Sequence, residues 1–304
     1  MANESTAGLS DVKPPESVAR AGASSRVSVD LAGLSDPGLT RRTNEDHFMA
    51  ARFDRTMRTL TTNIPSGHVP SEWGETCYAF LVADGVGGAA AGELASRTAV
   101  EVLVDLVLES PAWIMRFEGE RGDKVLQRTA DRFQKTREAL VARAAADPRL
   151  KGMATTMTFA CSVGQDLLSA HCGDSRAYVL RRDGSLERLT HDQTMAQSLA
   201  DAGAITQDQV AHHPSRHVLT SAIASRGVFA QVDLKHSRIE DGETLLLCSD
   251  GLSEMVTDDM ITAILAAKEP AETACRRLVD VALEAGGKDN VTVVVAKYRI
   301  PDGS

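Results

Sequence analysis

Apolar residues along this chain follow two rhythms, and the change from one to the other predicts the elements. Unbroken apolar runs at residues 78–83 and 245–248 have the length of strands and no polar face, as expected where both faces are covered, and a strand-like run spans Val291 to Val295. Residues 156–163, 167–171 and 176–180 read as successive strands, with Arg182-Asp183-Gly184-Ser185 supplying a hairpin turn. Val27, Val29 and Leu31 alternate as an opening strand, and residues 47–53 continue in the same manner. Elsewhere the period lengthens. Ala95, Ala99, Val102, Leu103 and Leu106 make a helical stripe within residues 92–109, and further helices are predicted at 123–146, 258–267 and 271–285. A mostly polar helical stretch covers residues 194–209. Strand runs bracketed by helix pairs predict an α+β fold, a four-layer αββα sandwich of two packed, mostly antiparallel sheets flanked by helices.

Composition narrows this picture. The 304 residues suffice for one large domain, and no internal repeat is visible. Residues 1–26, rich in Ser, Ala, Pro and Glu, predict a disordered tail ahead of a single domain at 27–304. Residues 56–74 read as a polar insertion with loop character. The 42 acidic residues outnumber the 33 basic ones, and a net charge of −9 argues against nucleic acid as a partner. No apolar run approaches the ~20 residues that span a bilayer, and no signal-peptide pattern opens the chain, so a cytoplasmic protein without membrane contact is expected. Cys77, Cys161, Cys172, Cys248 and Cys275 lack any C-x-x-C spacing and read as buried, reduced thiols. His212, His213 and His217 have no acidic or thiolate partner at helical spacing, which assigns them to a surface flap rather than to zinc.

The chemistry lies in short acidic stretches far apart in the chain. Asn44-Glu45-Asp46, Asp84-Gly85, Ser249-Asp250-Gly251 and Lys288-Asp289-Asn290 each set a carboxylate beside glycine or asparagine at the end of an apolar run. One Asp-Gly is ordinarily a turn or a helix cap. Several at strand edges, most without a basic neighbour, imply a cation, because converging carboxylates otherwise repel.

The ordered set of Ser35-Asp36-Pro37-Gly38-Leu39-Thr40-Arg41-Arg42-Thr43-Asn44-Glu45-Asp46, Asp84-Gly85-Val86-Gly87-Gly88, Gly173-Asp174-Ser175-Arg176, Ser249-Asp250-Gly251 and Asp289-Asn290 resembles that of the metal-dependent type-2C serine/threonine protein phosphatases, in their compact bacterial form. The resemblance implies the same sandwich, with a flap at about 190–225, and phosphorylated proteins as substrates. It implies two Mn²⁺ or Mg²⁺ ions bridged by Asp84, with the Gly85 carbonyl on one and Asp250 and Asp289 on the other. It makes Arg41 the grip on the substrate phosphate, and Glu45 and Asp46 the acidic pair that orients the attacking water. Two metals roughly 3.5–4 Å apart suit the hydrolysis of a phosphate monoester, since they activate water and clamp the oxygens of an in-line displacement. Arg42 is expected to face solvent, and Asp174 and Arg176 to form a structural turn pair.

Two positions depart from the family pattern. Val86 stands where eukaryotic members place a proton-donating histidine, so metal-bound water or a flap residue such as His191 is the expected substitute. Upstream of Met153-Ala154-Thr155-Thr156, a gapless alignment puts Arg149 where bacterial relatives carry an aspartate for a third ion, and that ion is expected to be missing. The alternative reading is a catalytically weak phosphoprotein-binding module on the same fold. Retention of Asp84, Asp250 and Asp289 together favours the enzyme. A monomer is expected.

Overall fold

The computed structural model describes residues 26–65, 68–87, 89–109, 120–227 and 231–301, so the predicted tail lies, apart from Arg26, outside the described residues. Twelve strands among them form two antiparallel sheets. The first, in the order β1 (Ser28–Asp36), β12 (Val291–Arg299), β11 (Thr244–Cys248), β7 (Arg176–Leu180) and β8 (Leu186–Arg188), is five-stranded. The second runs β10 (Asp233–Arg238), β6 (Asp166–Cys172), β5 (Met157–Val163), β3 (Glu72–Val86), β4 (Ala154–Thr155) and β9 (Ile223–Ala224), and β2 (Asp46–Arg58) pairs with β3 as its seventh strand.

The unbroken apolar runs are explained by burial on both faces. In β3, Tyr78, Phe80 and Val82 point between the sheets, whereas Cys77, Ala79, Leu81 and Ala83 point to helices α1 (Ala89–Leu108) and α2 (Glu120–Ala146). Leu245 and Leu247 of β11 and Val294, Ala296 and Tyr298 of β12 meet them from the five-stranded sheet. The alternate residues Leu246, Cys248, Val291, Val293 and Val295 pack on helices α5 (Asp250–Ser253), α6 (Asp258–Ala266) and α7 (Ala271–Glu284). The expected four layers are therefore present. All five cysteines are buried and free.

Three readings need correction. The segment 56–74 is only partly a loop, because β2 extends to Arg58 and β3 begins at Glu72, pairing in register out to Arg58 opposite Glu72. Polar residues there alternate without an apolar face, so hydrophobic periodicity could not signal the strand. Asp84 does not sit at a turn: β3 continues through Gly85 and Val86, which pair with Thr155 and Ala154. Asp250 is the first residue of a helix rather than a strand edge, with Ser249 as its N-cap.

Helices α3 (Met195–Asp201) and α4 (Gln207–Val210) form the flap, inserted between β8 and β9. Its base is clipped shut: Met195 N donates to Val218 O (2.7 Å), Thr220 N to Gln193 O (2.8 Å), and Gln193 N to Gly173 O (2.7 Å).

Inside the core Ser162 Oγ lies 2.7 Å from Tyr298 Oη, a polar contact between the two sheets, both residues being buried. Tyr298→Phe leaves the serine hydroxyl unpartnered and should cost about 1–2 kcal/mol. Denaturant unfolding should show a lowered midpoint with an unchanged slope; a midpoint equal to the parent's would mean that this contact does not help to hold the sheets together.

Candidate metal centre

The antiparallel register of β2 on β3 sets Asp46 directly opposite Asp84. Glu45 precedes Asp46 where the chain enters the strand, and Asn290 fixes that entry from the other sheet. Its side-chain carbonyl accepts from Glu45 N (2.8 Å), while its amide donates to Pro37 O and Thr43 O (2.9 Å each). One asparagine thus ties the first acidic motif to the last.

Backbone crowding dictates the glycines. A Cβ on Gly85 would meet the carbonyl oxygens of Gly92 and Glu45, and one on Gly251 would meet Asn290 O, so α1 and the loop before β12 can close on the centre only over a missing side chain.

Asp84 is held through its backbone, which leaves its carboxylate for the site. Thr156 N and Thr155 Oγ1 both donate to Asp84 O at 2.8 Å, and Asp84 N donates to Thr156 Oγ1 at 3.1 Å. Thr156 Oγ1 also lies 2.7 Å from Ser175 Oγ, linking this strand end to the β6–β7 turn. These two threonines had been read only as neighbours of the third-ion position.

Arg41, Glu45, Asp84, Gly85, Asp250 and Asp289 line one open cavity of about 740 Å³. Asp46 lies below it, 5% exposed, and its Oδ2 has no hydrogen-bond partner. Oxygens of Asp84, Asp174 and Asp250 all lie within 4.8 Å of one another. Asp174 therefore belongs to the acidic cluster, contrary to its reading as a turn partner of Arg176. Arg176 turns the other way and grips Asp192, with Nη2 2.6 Å and Nε 2.9 Å from its carboxylate oxygens. Residues two apart around a turn need not face each other.

The electrostatics suit a bound cation. Burial, together with the neighbouring Asp250 and Asp289, pushes Asp46 up to about 7 even though Thr292 and Ser249 hydrogen-bond to it. Burial followed by the Asp289 and Glu254 charges also raises Asp250 to about 7. Asp84 is held well above the carboxylate range, first by burial and then by Asp46 and Asp250. Four carboxylates crowded this closely cannot all ionise without positive charge among them. The donors are carboxylate oxygens, which suit hard divalent ions, and the buried Asp46 oxygen without a hydrogen-bond partner belongs to the residue paired opposite Asp84.

Arg41 reaches the centre from the rim. Its Nη2 lies 2.7 Å from Asp289 Oδ2, and Asn290 N donates to the other oxygen of that carboxylate at 2.9 Å. Arg42 is exposed and does not line the cavity.

Two flap readings change. His191 pairs with Asp201 (2.8 Å) outside the cavity. His217 lines the cavity instead, with Nδ1 2.8 Å from Glu254 Oε1, so it does have an acidic partner, brought by folding rather than by spacing. Arg149, 88% exposed, is bonded to Asp147 at 2.7 Å, and neither residue lines the cavity. No local signal could have joined His217 to Glu254 across 37 positions of sequence.

The protein phosphatase 2C family model matches residues 68–288. Among curated proteins, the serine/threonine protein phosphatase PstP of Mycobacterium tuberculosis is 36% identical over 265 residues, covering 87% of this chain but only 44% of PstP. This chain therefore spans less than half the length of that relative. The serine/threonine phosphatase stp of Listeria innocua is 33% identical over 220 residues, 72% of this chain and 84% of stp. Among solved structures, M. tuberculosis PstP superposes with a TM-score of 0.71 at 33% identity over 88% of this chain and 98% of that one. A structure of the PstP catalytic domain in complex with two manganese ions gives 0.69 at 31% identity, over 90% of this chain and 99% of that one. By the match across most of its length, the chain belongs to the protein phosphatase 2C family.

Proposed function

We propose that this chain hydrolyses phosphoserine and phosphothreonine esters of proteins at a centre of two Mn²⁺ or Mg²⁺ ions, opposing protein kinases. The observation that carries the proposal is the convergence of Asp84, Asp174 and Asp250 in an open cavity, above the buried, unpartnered oxygen of Asp46. The names of the relatives and the two manganese ions of the PstP complex support it. The alternative of a weak phosphoprotein-binding module is disfavoured by the same carboxylates, whose burial without a cation destabilises the fold for no return. No helix among the described residues is long and apolar enough to cross a membrane. Five buried free thiols support placement in a reducing compartment such as the cytoplasm.

Asp84, Asp250, Asp289 and the Gly85 carbonyl are assigned as ligands, with Asp174 beside them. When bound, the two ions supply Lewis-acid polarisation of the phosphoryl oxygens and lower the pKa of the attacking water. Arg41 offers a planar fork to the phosphate dianion from the rim, and its contact with Asp289 fixes that fork toward the centre. Glu45 and Asp46 accept hydrogen bonds from the attacking water and set its approach in line with the ester oxygen. The threonine clamp on the Asp84 backbone and the Asn290 clamp on the Glu45 loop keep these groups in place before substrate arrives.

Asp84→Asn and Asp250→Asn should each abolish hydrolysis of p-nitrophenyl phosphate. In chelator both variants should unfold at or above the parent's temperature, because each removes a raised carboxylate, yet neither should gain the parent's full stabilisation by Mn²⁺. Near-parental turnover at saturating Mn²⁺ would refute the ligand assignment.

Arg41→Ala should lower kcat/KM by about 2–4 kcal/mol in equivalent free energy, the range for truncating one partner of a close charged pair. Arg42→Ala should change it little. Equal effects from the two would count against Arg41 as the phosphate grip.

Chelated protein should also show a characteristic pH dependence. Asp46 and Asp250 have folded-state values near 7, above the ordinary 3.8, so the folded protein binds more protons than the unfolded chain between those limits. Stability is thus greatest at low pH and is lost as pH rises through about 7. Thermal unfolding in EDTA should fall from pH 5 to pH 8, and Mn²⁺ should cancel the decline; a flat or rising profile in EDTA would remove the case for crowded carboxylates.

A further inference from the structure

Departure of a serine or threonine alkoxide needs a proton, and the groups assigned above do not supply one. Val86 cannot, and His191 is bonded to Asp201 away from the cavity. Besides the Asn290 amide, which does not ionise, four side chains lining the cavity carry N–H protons: Arg41, Arg216, His217 and Lys288. A guanidinium does not give up its proton in a protein, which removes both arginines. Lys288 is exposed to solvent, a hydrated point charge on a flexible stem. Imidazole is the side chain suited to proton transfer near neutral pH.

His217 is also placed for the task. The flap carries it, and the flap backbone is bonded just before it, by Arg216 N to His213 O (3.1 Å), and just after it, by Met195 N to Val218 O (2.7 Å) and the bridge between Thr194 and Leu219. Its Nδ1 lies 2.8 Å from Glu254 Oε1, so that nitrogen carries a hydrogen and donates it to the carboxylate. Glu254 caps the C-terminal end of α5, its N–H donating 2.9 Å to the carbonyl of Asp250. The helix that places Asp250 in the acidic cluster therefore also places the carboxylate that orients His217. A base or acid held by a carboxylate on its far nitrogen is the arrangement that fixes imidazole orientation and stabilises the imidazolium form.

We propose that His217, oriented by Glu254, is the proton donor to the leaving ester oxygen. The proposal rests on the phosphatase reading and adds a catalytic residue to it. As the attacking water's oxygen bonds to phosphorus, the P–O ester bond breaks and its electron pair goes to the serine or threonine oxygen. The Nε2 proton of the imidazolium passes to that oxygen, which leaves as the neutral alcohol. His217 is left neutral with Nδ1–H on Glu254, and the proton released by the attacking water restores the imidazolium by way of solvent.

The test uses full-length Mn²⁺-loaded protein and a series of aryl phosphates of similar size, from p-nitrophenyl to unsubstituted and alkyl-substituted phenyl, whose leaving groups need a proton increasingly. A phosphothreonine peptide is measured alongside. His217→Ala and His217→Gln should lose kcat more steeply as the leaving group becomes more basic, with the loss at the basic end larger by about 30-fold or more, within the range for one general acid. Glu254→Gln should change the slope in the same sense by less. Calorimetry should count as many Mn²⁺ ions in the variants as in the parent. A uniform loss across the aryl series would make His217 structural and overturn the proposal. So would a loss confined to the peptide, which would mark a peptide contact, or the loss of one bound ion, which would make His217, Asp250 and Glu254 a cation site, as their mutual closeness within 4.8 Å allows. A parent inactive on every substrate would strike the phosphatase reading itself.

Discussion

Repulsion among carboxylates that the backbone forces together is the constraint on which the rest of this structure depends. Asp46 and Asp84 are paired opposite each other because β2 and β3 pair in one register, and a slip of β2 by one residue would turn Asp46 to the opposite face. Asp250 arrives on a four-residue helix after β11, and Asp174 on the turn between β6 and β7. Neither sheet alone holds enough of the cluster. The two must stay packed, and the apolar residues of β3, β11 and β12 between them are what oppose the charge at their edge. A site of this kind is stable only on a scaffold whose core outweighs it, which gives the size of the sandwich a physical reason.

Short polar clamps then convert a stable scaffold into a defined geometry. Asn290 bonds three backbone groups of the first motif, and Thr155 and Thr156 bond both backbone groups of Asp84. None of these clamps uses a carboxylate of the cluster. The carboxylate oxygens are thereby left unclamped while the chain that carries them is already fixed. The glycines serve the same end from the other side, since Gly85 and Gly251 let neighbouring carbonyls approach where any Cβ would collide.

The fold was legible because doubly covered strands leave unbroken apolar runs, and the centre because each acidic motif is contiguous in sequence. What escaped was of another kind. The outer half of β2 has alternating polar residues with no buried face, so its pairing with β3 leaves no hydrophobic trace. Asp174 seemed tied to Arg176 by nearness in sequence, but Arg176 stands in β7 and reaches Asp192 on the segment returning to the flap. Its release from Arg176 is what frees Asp174 for the cluster. At the third-ion segment, Asp147 and Pro148 open a tight turn in which Arg149 folds back on Asp147, and neither charged residue lines the cavity.

His217 exposes the general limit most clearly. Its chemistry depends on Glu254, and that contact exists only because the flap, inserted between β8 and β9, lies back over the helix that begins at Asp250. Sequence spacing marks a histidine as a ligand or an acid only when its partner shares the same element. Here the partner stands on another, four residues beyond a carboxylate that the motif does identify. The flap and the acidic cluster are consequently one mechanical unit: any shift of α5 moves Asp250 and Glu254 together, and with Glu254 the imidazole. A residue substitution in α5 that spares both carboxylates can therefore alter ion binding and proton delivery at once, which is why the two must be measured by separate readouts rather than inferred from turnover alone.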